Sequence, residues 1–380
     1  MKLTSQYSSK KTALNSLSLI NIKLLLSYIK RIVCAPKTTT TKLVILLFVV
    51  LYGAAIASVT IGPMNISLSQ SINALLPSVL QTQEIPSHIA LVVQQIRLPR
   101  TLLAISVGAI LAITGVVMQG LFRNPLADPG IIGVSAGASL GAAIAIVLFS
   151  SLAQSYPLLL LFGTVPLFSF LGGAITTVIV YKLGTNAYGT SVTMMLLAGV
   201  AVGALSGAGL GLMNYYADDQ ALRDLSLWTM GSLAGANAEG LILSFSALII
   251  LFSLFYKEAN SLNALLLGES EAKHLGIRVQ RLKRRLILLA AAGVGITVAL
   301  AGMIGFIGLI VPHLGRMLIG PNHKVLLPIS MLIGALLLLV ADMIARTLVA
   351  PLDMPVGIVT ALLGAPFFIW LLIQQKGRLS

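Results

Sequence analysis

Apolar runs recur along the whole chain, and many approach the ~20 residues that a helix needs to cross a ~30 Å hydrocarbon core. A membrane barrel would instead show alternating apolar and polar residues, whereas residues 158–162 and 335–341 are continuously apolar. With 57% hydrophobic and only 9% charged residues, the chain is predicted to be an all-α, polytopic membrane protein, because helices satisfy their own backbone groups in lipid.

Hydropathy predicts about ten transmembrane helices, with boundaries good to several residues. They cover residues 43–61, 99–121, 131–151, 157–181, 190–213, 238–256, 284–303, 304–319, 326–349 and 356–374. None of the polar stretches between them is long enough to predict a soluble domain. The sequence therefore predicts a single membrane domain, residues 43–376, with an inner polar segment at 257–283 and a basic N-terminal tail at 1–42.

Charge is distributed unevenly across the predicted topology. If both termini are cytoplasmic, the inner side holds all of the 25 Lys and Arg residues except Arg97, Arg100, Arg223 and Arg346. This bias is typical of cytoplasmic loops and predicts that orientation. The net charge of +14 is dispersed among apolar spans, so membrane topology explains it better than nucleic-acid binding does. Within the tail, residues 14–33 predict either a basic amphipathic helix on anionic lipid or a disordered segment.

Catalytic and nucleotide-binding signatures are absent from the sequence. No GxxxxGK[ST] phosphate cradle occurs, and no cluster of catalytic residues falls at one depth. The single cysteine, Cys34, excludes an internal disulfide and has no metal-ligand spacing around it. We therefore expect no enzyme activity and no metal or cofactor bound by this chain; if ATP drives transport, ATP and Mg²⁺ must bind to a separate subunit.

Residues 122–138, FRNPLADPGIIGVSAGA, interrupt two apolar spans. Pro125 and Pro129 exclude a continuous helix, and Asp128 precedes a proline, which favours an extended or turn conformation. Together with Asn124 these residues predict a rigid structural turn. The topology places it at the cytoplasmic membrane surface.

Six blocks in fixed order resemble the FecCD-like, type II importer permeases, the membrane subunits of bacterial ATP-driven importers for iron siderophores, haem and vitamin B12. The resemblance covers about residues 43–376. The blocks are RLPRTLLAISVGAILAITGVVMQGLFRNPLADPGIIGVSAGA (97–138), LLAGVAVGAL (196–205), LRDLSLWTMGSLAGA (222–236), GESEAKHLGI (268–277), GFIGLIVPHLGRMLIGPNHKVLLP (305–328) and ADMIARTLVAPLDMPVGIVTALLGAPFFIWLL (341–372).

The resemblance implies an assembly in the bacterial cytoplasmic (inner) membrane. Its expected parts are a homodimer of the permease with the pathway at the interface, two cytoplasmic ABC ATPase subunits and an extracytoplasmic substrate-binding protein. It also implies that 257–283 contains the segment that contacts the ATPases, carried onto Gly268, Glu269, Ala272, Leu275 and Gly276. Glu269 suits the positive end of a short helix and Gly276 suits its termination, although any amphipathic loop helix at a membrane surface would look similar.

The resemblance also implies two further sites. Arg97, Arg100 and Arg346 match positions that meet acidic residues of the binding protein, as guanidinium–carboxylate recognition favours. The alternatives are snorkelling for the first two and an i,i+4 pair with Asp342 for Arg346. A cytoplasmic gate falls at 188–193, on Thr190 and Ser191 or on Val192 and Thr193, with a plain turn as the alternative.

The prediction of the substrate depends on one segment and on the general resemblance to the importer permeases. Residues 214–228, NYYADDQALRDLSLW, resemble the haem permeases more than the vitamin B12 permeases. Haem iron favours axial His or Tyr, but the four histidines do not have the spacing of a metal site. We therefore expect import of an iron chelate, with haem first and a ferric siderophore or vitamin B12 as alternatives. An ion-coupled secondary transporter is disfavoured, because Asp342 is the only acidic residue in the interior of a predicted span and Arg346 is close enough to neutralise it.

Overall fold

The computed structural model describes residues 37–76, 86–149, 163–186 and 189–376. Most of the predicted basic tail, including 14–33, lies outside them. The helices are α1 (Lys37–Thr60), α2 (Leu68–Leu75), α3 (Ser87–Leu91), α4 (Leu98–Phe122), α5 (Val134–Leu148), α6 (Thr164–Leu183), α7 (Val192–Tyr216), α8 (Asp219–Thr229), α9 (Ala238–Lys257), α10 (Ala259–Leu267), α11 (Glu269–His274), α12 (Val279–Ala301), α13 (Ile307–Ile319), α14 (His323–Leu348) and α15 (Val356–Lys376). A π-helical segment, Val92–Arg97, joins α3 to α4, and a 3₁₀ turn, Pro129–Ile132, precedes α5.

The described residues contain a helix for each of the ten predicted spans. Eight spans are long and apolar enough to cross a membrane, and the two others correspond to the shorter apolar helices α5 and α13. The prediction of a helical, multi-pass membrane protein is therefore confirmed. At 1.5 Å per residue, the 15 residues of α5 extend about 22 Å, which is less than the hydrocarbon core requires.

Helix α4 lies at the centre of the bundle. It is part of a continuous helix, Ser87–Phe122, whose most apolar stretch is 89% buried. Helices α14, α9, α13 and α12 pack around α4. Gly108 approaches the backbone of Gly334 in α14, and Gly115 approaches the backbone of Gly308 in α13. Burial of apolar surface alone gains little within a membrane, because lipid is also apolar. The close approach of these backbones stabilises the bundle through dispersion contacts instead.

Helices α5 and α6 form a second close pair, on which α12 also packs. Gly141 faces the backbone of Phe168, and Gly172 faces that of Gly137. The Thr176 hydroxyl donates a hydrogen bond to the Gly133 carbonyl, with an oxygen–oxygen distance of 2.9 Å. This pairing places the start of α5 against the middle of α6.

A short antiparallel hairpin departs from the predicted all-α fold. Strands β1 (Thr185–Asn186) and β2 (Gly189–Thr190) lie between α6 and α7 and pair Thr185 with Thr190. The fifth span, predicted to begin at 190, therefore begins two residues later. Ser191 precedes α7, and its hydroxyl accepts a hydrogen bond from the Met194 amide at 3.4 Å.

Candidate functional site

The segment predicted to contact the ATPases forms a compact helix at one end of the bundle. Helix α11 begins after Gly268, has Glu269 and Glu271 in its first turn and is followed by Gly276 at φ +83°. The structure thus contains the predicted short helix and its glycine stop, since a left-handed backbone conformation favours glycine. Ala272 is fully buried against the bundle core, whereas Leu275 is 64% exposed. The helix therefore has one face anchored in the protein and one apolar residue free to meet a partner.

Lys283 of α12 lies beneath this helix. Its ammonium donates to Glu269 Oε1 at 2.6 Å and to the Thr190 carbonyl oxygen at 3.1 Å. The Lys283 side chain is only 2% exposed, against 34% for Glu269. Both acceptors are needed, because a buried ammonium without partners is costly.

Gln280 precedes Lys283 by one turn on the same face of α12. Its side-chain oxygen accepts a hydrogen bond from the Thr190 amide at 2.9 Å, so both backbone groups of Thr190 are bound by α12. The Thr190 and Thr185 hydroxyls are 3.1 Å apart. Thus Thr190, one of the residues on which the family resemblance implies a gate, lies in the same network as Glu269.

The remaining predicted gate residues lie at the start of α7. Ser191 caps that helix, Val192 packs against the apolar core, and Thr193 is exposed. The hydroxyls of Ser191 and Thr193 therefore have different environments. Of the predicted gate set, Thr190 has direct contacts to α12.

The predicted structural turn does not lie wholly at one end of the bundle. Asn124 and Pro125 line a cavity of about 390 Å³ near the end of α4, but Asp128 and Pro129 lie beside Leu111 and line a second cavity of about 70 Å³. Leu111 precedes the end of α4 by about 16 Å at 1.5 Å per residue. The chain thus re-enters the bundle before α5 begins, which corrects the surface placement and accounts for the short α5.

Local hydrogen bonds shape this turn. Asn124 Oδ1 accepts from the Leu126 amide at 2.9 Å, and Asp128 Oδ1 accepts from the Gly130 amide at 2.7 Å. The Asp128 side chain thereby caps the 3₁₀ turn that starts at Pro129. Since proline also removes competing helical hydrogen bonds, the predicted rigidity has a direct structural basis.

We expect Asp128→Ala to lower the free energy of unfolding by about 1 kcal/mol, because the Gly130 amide loses its capping acceptor. The matched variant Asp128→Asn retains a side-chain oxygen and should keep most of that stability. Reversible unfolding in mixed micelles measures both. Equal losses in the two variants would contradict a capping role, since they would show that the charge matters instead of the acceptor.

The three arginines predicted for docking converge at the opposite end of the bundle from α11. Arg100 donates to Asp342 Oδ1 at 2.8 Å and to Asp353 Oδ2 at 2.5 Å. Arg346 lies 3.3 Å from Asp342 Oδ2, without hydrogen-bond alignment, and donates to the Ser58 hydroxyl at 2.6 Å. The i,i+4 pair considered from the sequence is therefore present.

Arg97 has a different environment from the other two arginines. Its guanidinium donates to the carbonyl oxygens of Val59 at 3.0 Å, Thr60 at 2.6 Å and Met64 at 2.5 Å. These bonds satisfy the carbonyls at the end of α1 and fix the chain that follows it. All three arginines are buried, whereas the side chain of Asp353, which accepts from Arg100, is 45% exposed.

Sequence reasoning did not identify Lys283, Gln280 or Asp353 as members of these networks. Lys283 lies in the basic stretch RVQRLKRR (278–285), ahead of the span predicted at 284–303, so no local pattern sets it apart from the neighbouring cations. Asp353 lies in the loop between α14 and α15, within the block 341–372, but nothing in the local sequence indicates that its carboxylate pairs with Arg100. Among the described residues, no group of three or more His, Cys, Asp or Glu side chains could hold a metal ion.

The described residues form a helical, multi-pass membrane domain with buried polar networks at its two ends, an arrangement that occurs in membrane transporters. The family model described as the FecCD transport family matches residues 45–374. The chain belongs to that family.

Individual relatives agree with this assignment. The chain is 45% identical over 334 residues to the hemin transport system permease protein HmuU of Yersinia pestis, covering 88% of this chain and 96% of the relative. It is 43% identical over 283 residues to the vitamin B12 import system permease protein BtuC of Vibrio cholerae, covering 74% and 83%. A solved metal-chelate type ABC transporter in an inward-facing conformation matches with a TM-score of 0.74 and 36% identity, covering 88% and 99%.

Proposed function

We propose that this chain is the permease subunit of an ATP-driven importer that moves haem from an extracytoplasmic binding protein into the cytoplasm. The carrying observation is the 45% identity to a hemin permease along 96% of that relative's length. The 43% identity to a vitamin B12 permease supports the alternative that another large chelate is carried. The membrane is proposed to be the bacterial inner membrane, with both termini in the cytoplasm.

ATP hydrolysis is assigned to a separate cytoplasmic subunit, which would bind ATP and Mg²⁺. The coupling surface on this chain is proposed to include α11 and its flanks. Leu267 and Leu275 are 70% and 64% exposed there, and exposed leucines beside a polar helix suit a protein partner. Two ATPase subunits would serve a homodimer of this chain.

Helix α7 supports the proposed homodimer. Gly203, Gly207 and Gly211 share one helix face and have nothing within 4 Å of a Cβ built on them. A small-residue face of this kind lets a second helix approach closely. We assign this face to the interface between two copies, with the pathway beside it.

Docking of the binding protein is proposed at the end where Arg97, Arg100 and Arg346 converge. Asp353 is the accessible member of that network. A carboxylate of the binding protein would reach Arg100 by exchanging with Asp353, which keeps the guanidinium paired throughout. Arg97 and Arg346 would support Arg100 from within the bundle.

Reconstitution tests the proposed function. We expect liposomes that contain the chain, its ATPase and its binding protein to take up haem only when ATP is present on the ATPase side. Cobalamin and a ferric siderophore serve as competing cargoes in parallel assays. Uptake of one of these instead of haem would reassign the substrate, and uptake without ATP would exclude an ATP-driven importer.

A further inference from the structure

Lys283 contacts two elements that the chain otherwise presents separately. Its ammonium holds the Glu269 carboxylate of α11 and the backbone carbonyl of Thr190 in the hairpin. Thr190 contributes its backbone carbonyl, so this contact depends on the position of the hairpin and not on the rotamer of the Thr190 side chain. Movement of either element relative to α12 therefore changes the surroundings of one buried cation.

Burial makes the two contacts interdependent. The Lys283 side chain is 2% exposed, and its ammonium can donate hydrogen bonds but cannot accept them. If α11 moved away while the hairpin stayed in place, the ammonium would keep only a neutral carbonyl oxygen. An incompletely compensated buried charge is costly, so a joint displacement of α11 and the hairpin is favoured over separate displacements.

Gln280 strengthens the hairpin side of this arrangement. It binds the Thr190 amide at 2.9 Å, while Lys283 binds the Thr190 carbonyl. Gly189, at φ +124°, approaches the Gln280 side chain so closely that an added Cβ would overlap it. The hairpin is thus held against α12 on both sides of one residue.

We propose that Lys283 is a positioning residue that transmits displacement of α11 to the β1–β2 hairpin, with Gln280 keeping the hairpin seated on α12. The inference rests on the proposed function in one respect, namely that the ATPase acts on α11. It adds a defined route from that contact to Thr190. The route consists of one carboxylate, one ammonium and one backbone carbonyl.

Lys283→Met in the assembled transporter tests this route. We expect haem uptake per ATP hydrolysed to fall about tenfold, the scale of a typical coupling between two sites, while ATP hydrolysis continues. Lys283→Arg keeps donors for both acceptors and should retain most coupling. Arg284→Met is the control, because it removes an exposed positive charge from the next position of the same helix. Should Lys283→Met fail to assemble, Glu269→Gln weakens the same contact at a half-exposed position.

The variant Thr193→Cys, at an exposed position, supplies a readout that does not depend on cargo. With the single native cysteine changed by Cys34→Ser, the rate of maleimide modification at 193 should change when ATP is added, and Lys283→Met should abolish that change. A persisting ATP-dependent change, or normal uptake per ATP in the Lys283→Met and Glu269→Gln variants, would overturn the proposal. Absence of ATP-driven uptake in the unaltered transporter would instead count against the proposed function. The reactivity at position 193 would still test the route, because it does not depend on cargo.

Discussion

Gly115→Val is expected to remove most folded protein from the membrane. A Cβ at position 115 would fall on the backbone oxygen of Gly308, and a backbone cannot rotate away as a side chain can. Helices α4 and α13 would have to separate, which loses the packing between them. Overpacking of this kind costs about 3 kcal/mol, a large share of the stability of a typical domain. Unfolding in mixed micelles and the yield of monodisperse protein measure the effect.

Gly53→Val provides the matched control. Gly53 lies in α1 and has nothing within 4 Å of its Cβ position, so the same added atoms meet open space. We expect near-normal stability and yield. If both variants lost stability equally, helix propensity and not close packing at Gly115 would explain the loss.

Asp342→Asn is expected to destabilise the protein by about 3 to 5 kcal/mol, because it leaves buried cations without their shared carboxylate. The Asp342 side chain is fully buried between Arg100 and Arg346. Asparagine keeps the shape but removes the charge. Arg100 keeps a second carboxylate partner, Asp353, so most of the destabilisation should come from Arg346, which loses its ion pair. The free energy of unfolding in mixed micelles is the direct measurement.

The double variant Asp342→Asn with Arg346→Met tests this explanation. It removes one positive and one negative charge together and leaves the Arg100–Asp353 pair in place. We expect it to be more stable than Asp342→Asn alone by about 1 kcal/mol or more, as coupled neighbouring residues show in double-mutant cycles. Additive losses from the two single variants would show that Asp342 and Arg346 are not coupled.

The transmembrane helices were predictable because their signal is local. Each helix satisfies its own backbone, so an apolar run of sufficient length is enough to indicate a span. The short helix α11 was predictable for a similar reason, since its acidic first turn and its glycine stop lie within one short stretch, residues 269–276. The hairpin was missed because strands of two residues each carry no alternating pattern.

The depth of the turn at Asp128 could not be obtained from the sequence. Two prolines predict a break in the helix, but where the broken chain lies depends on space between α4, α12 and α13. Close glycine contacts between α4 and its neighbours set that space. The partner of Arg100 could not be obtained from the sequence either. Its charge predicted a position near the end of a span, but Asp353 lies on a loop 253 positions away.

By itself the sequence determined the membrane class, the approximate spans and the family resemblance, and it predicts the orientation from the distribution of charge. These follow from composition, from local periodicity and from ordered motifs along the chain. Only the tertiary structure decided which polar groups distant in sequence meet: Lys283 with Glu269 and Thr190, and Asp342 with Arg100. The physical reason is that a buried charge must find a partner wherever packing brings one, and helix packing joins residues that no local pattern connects.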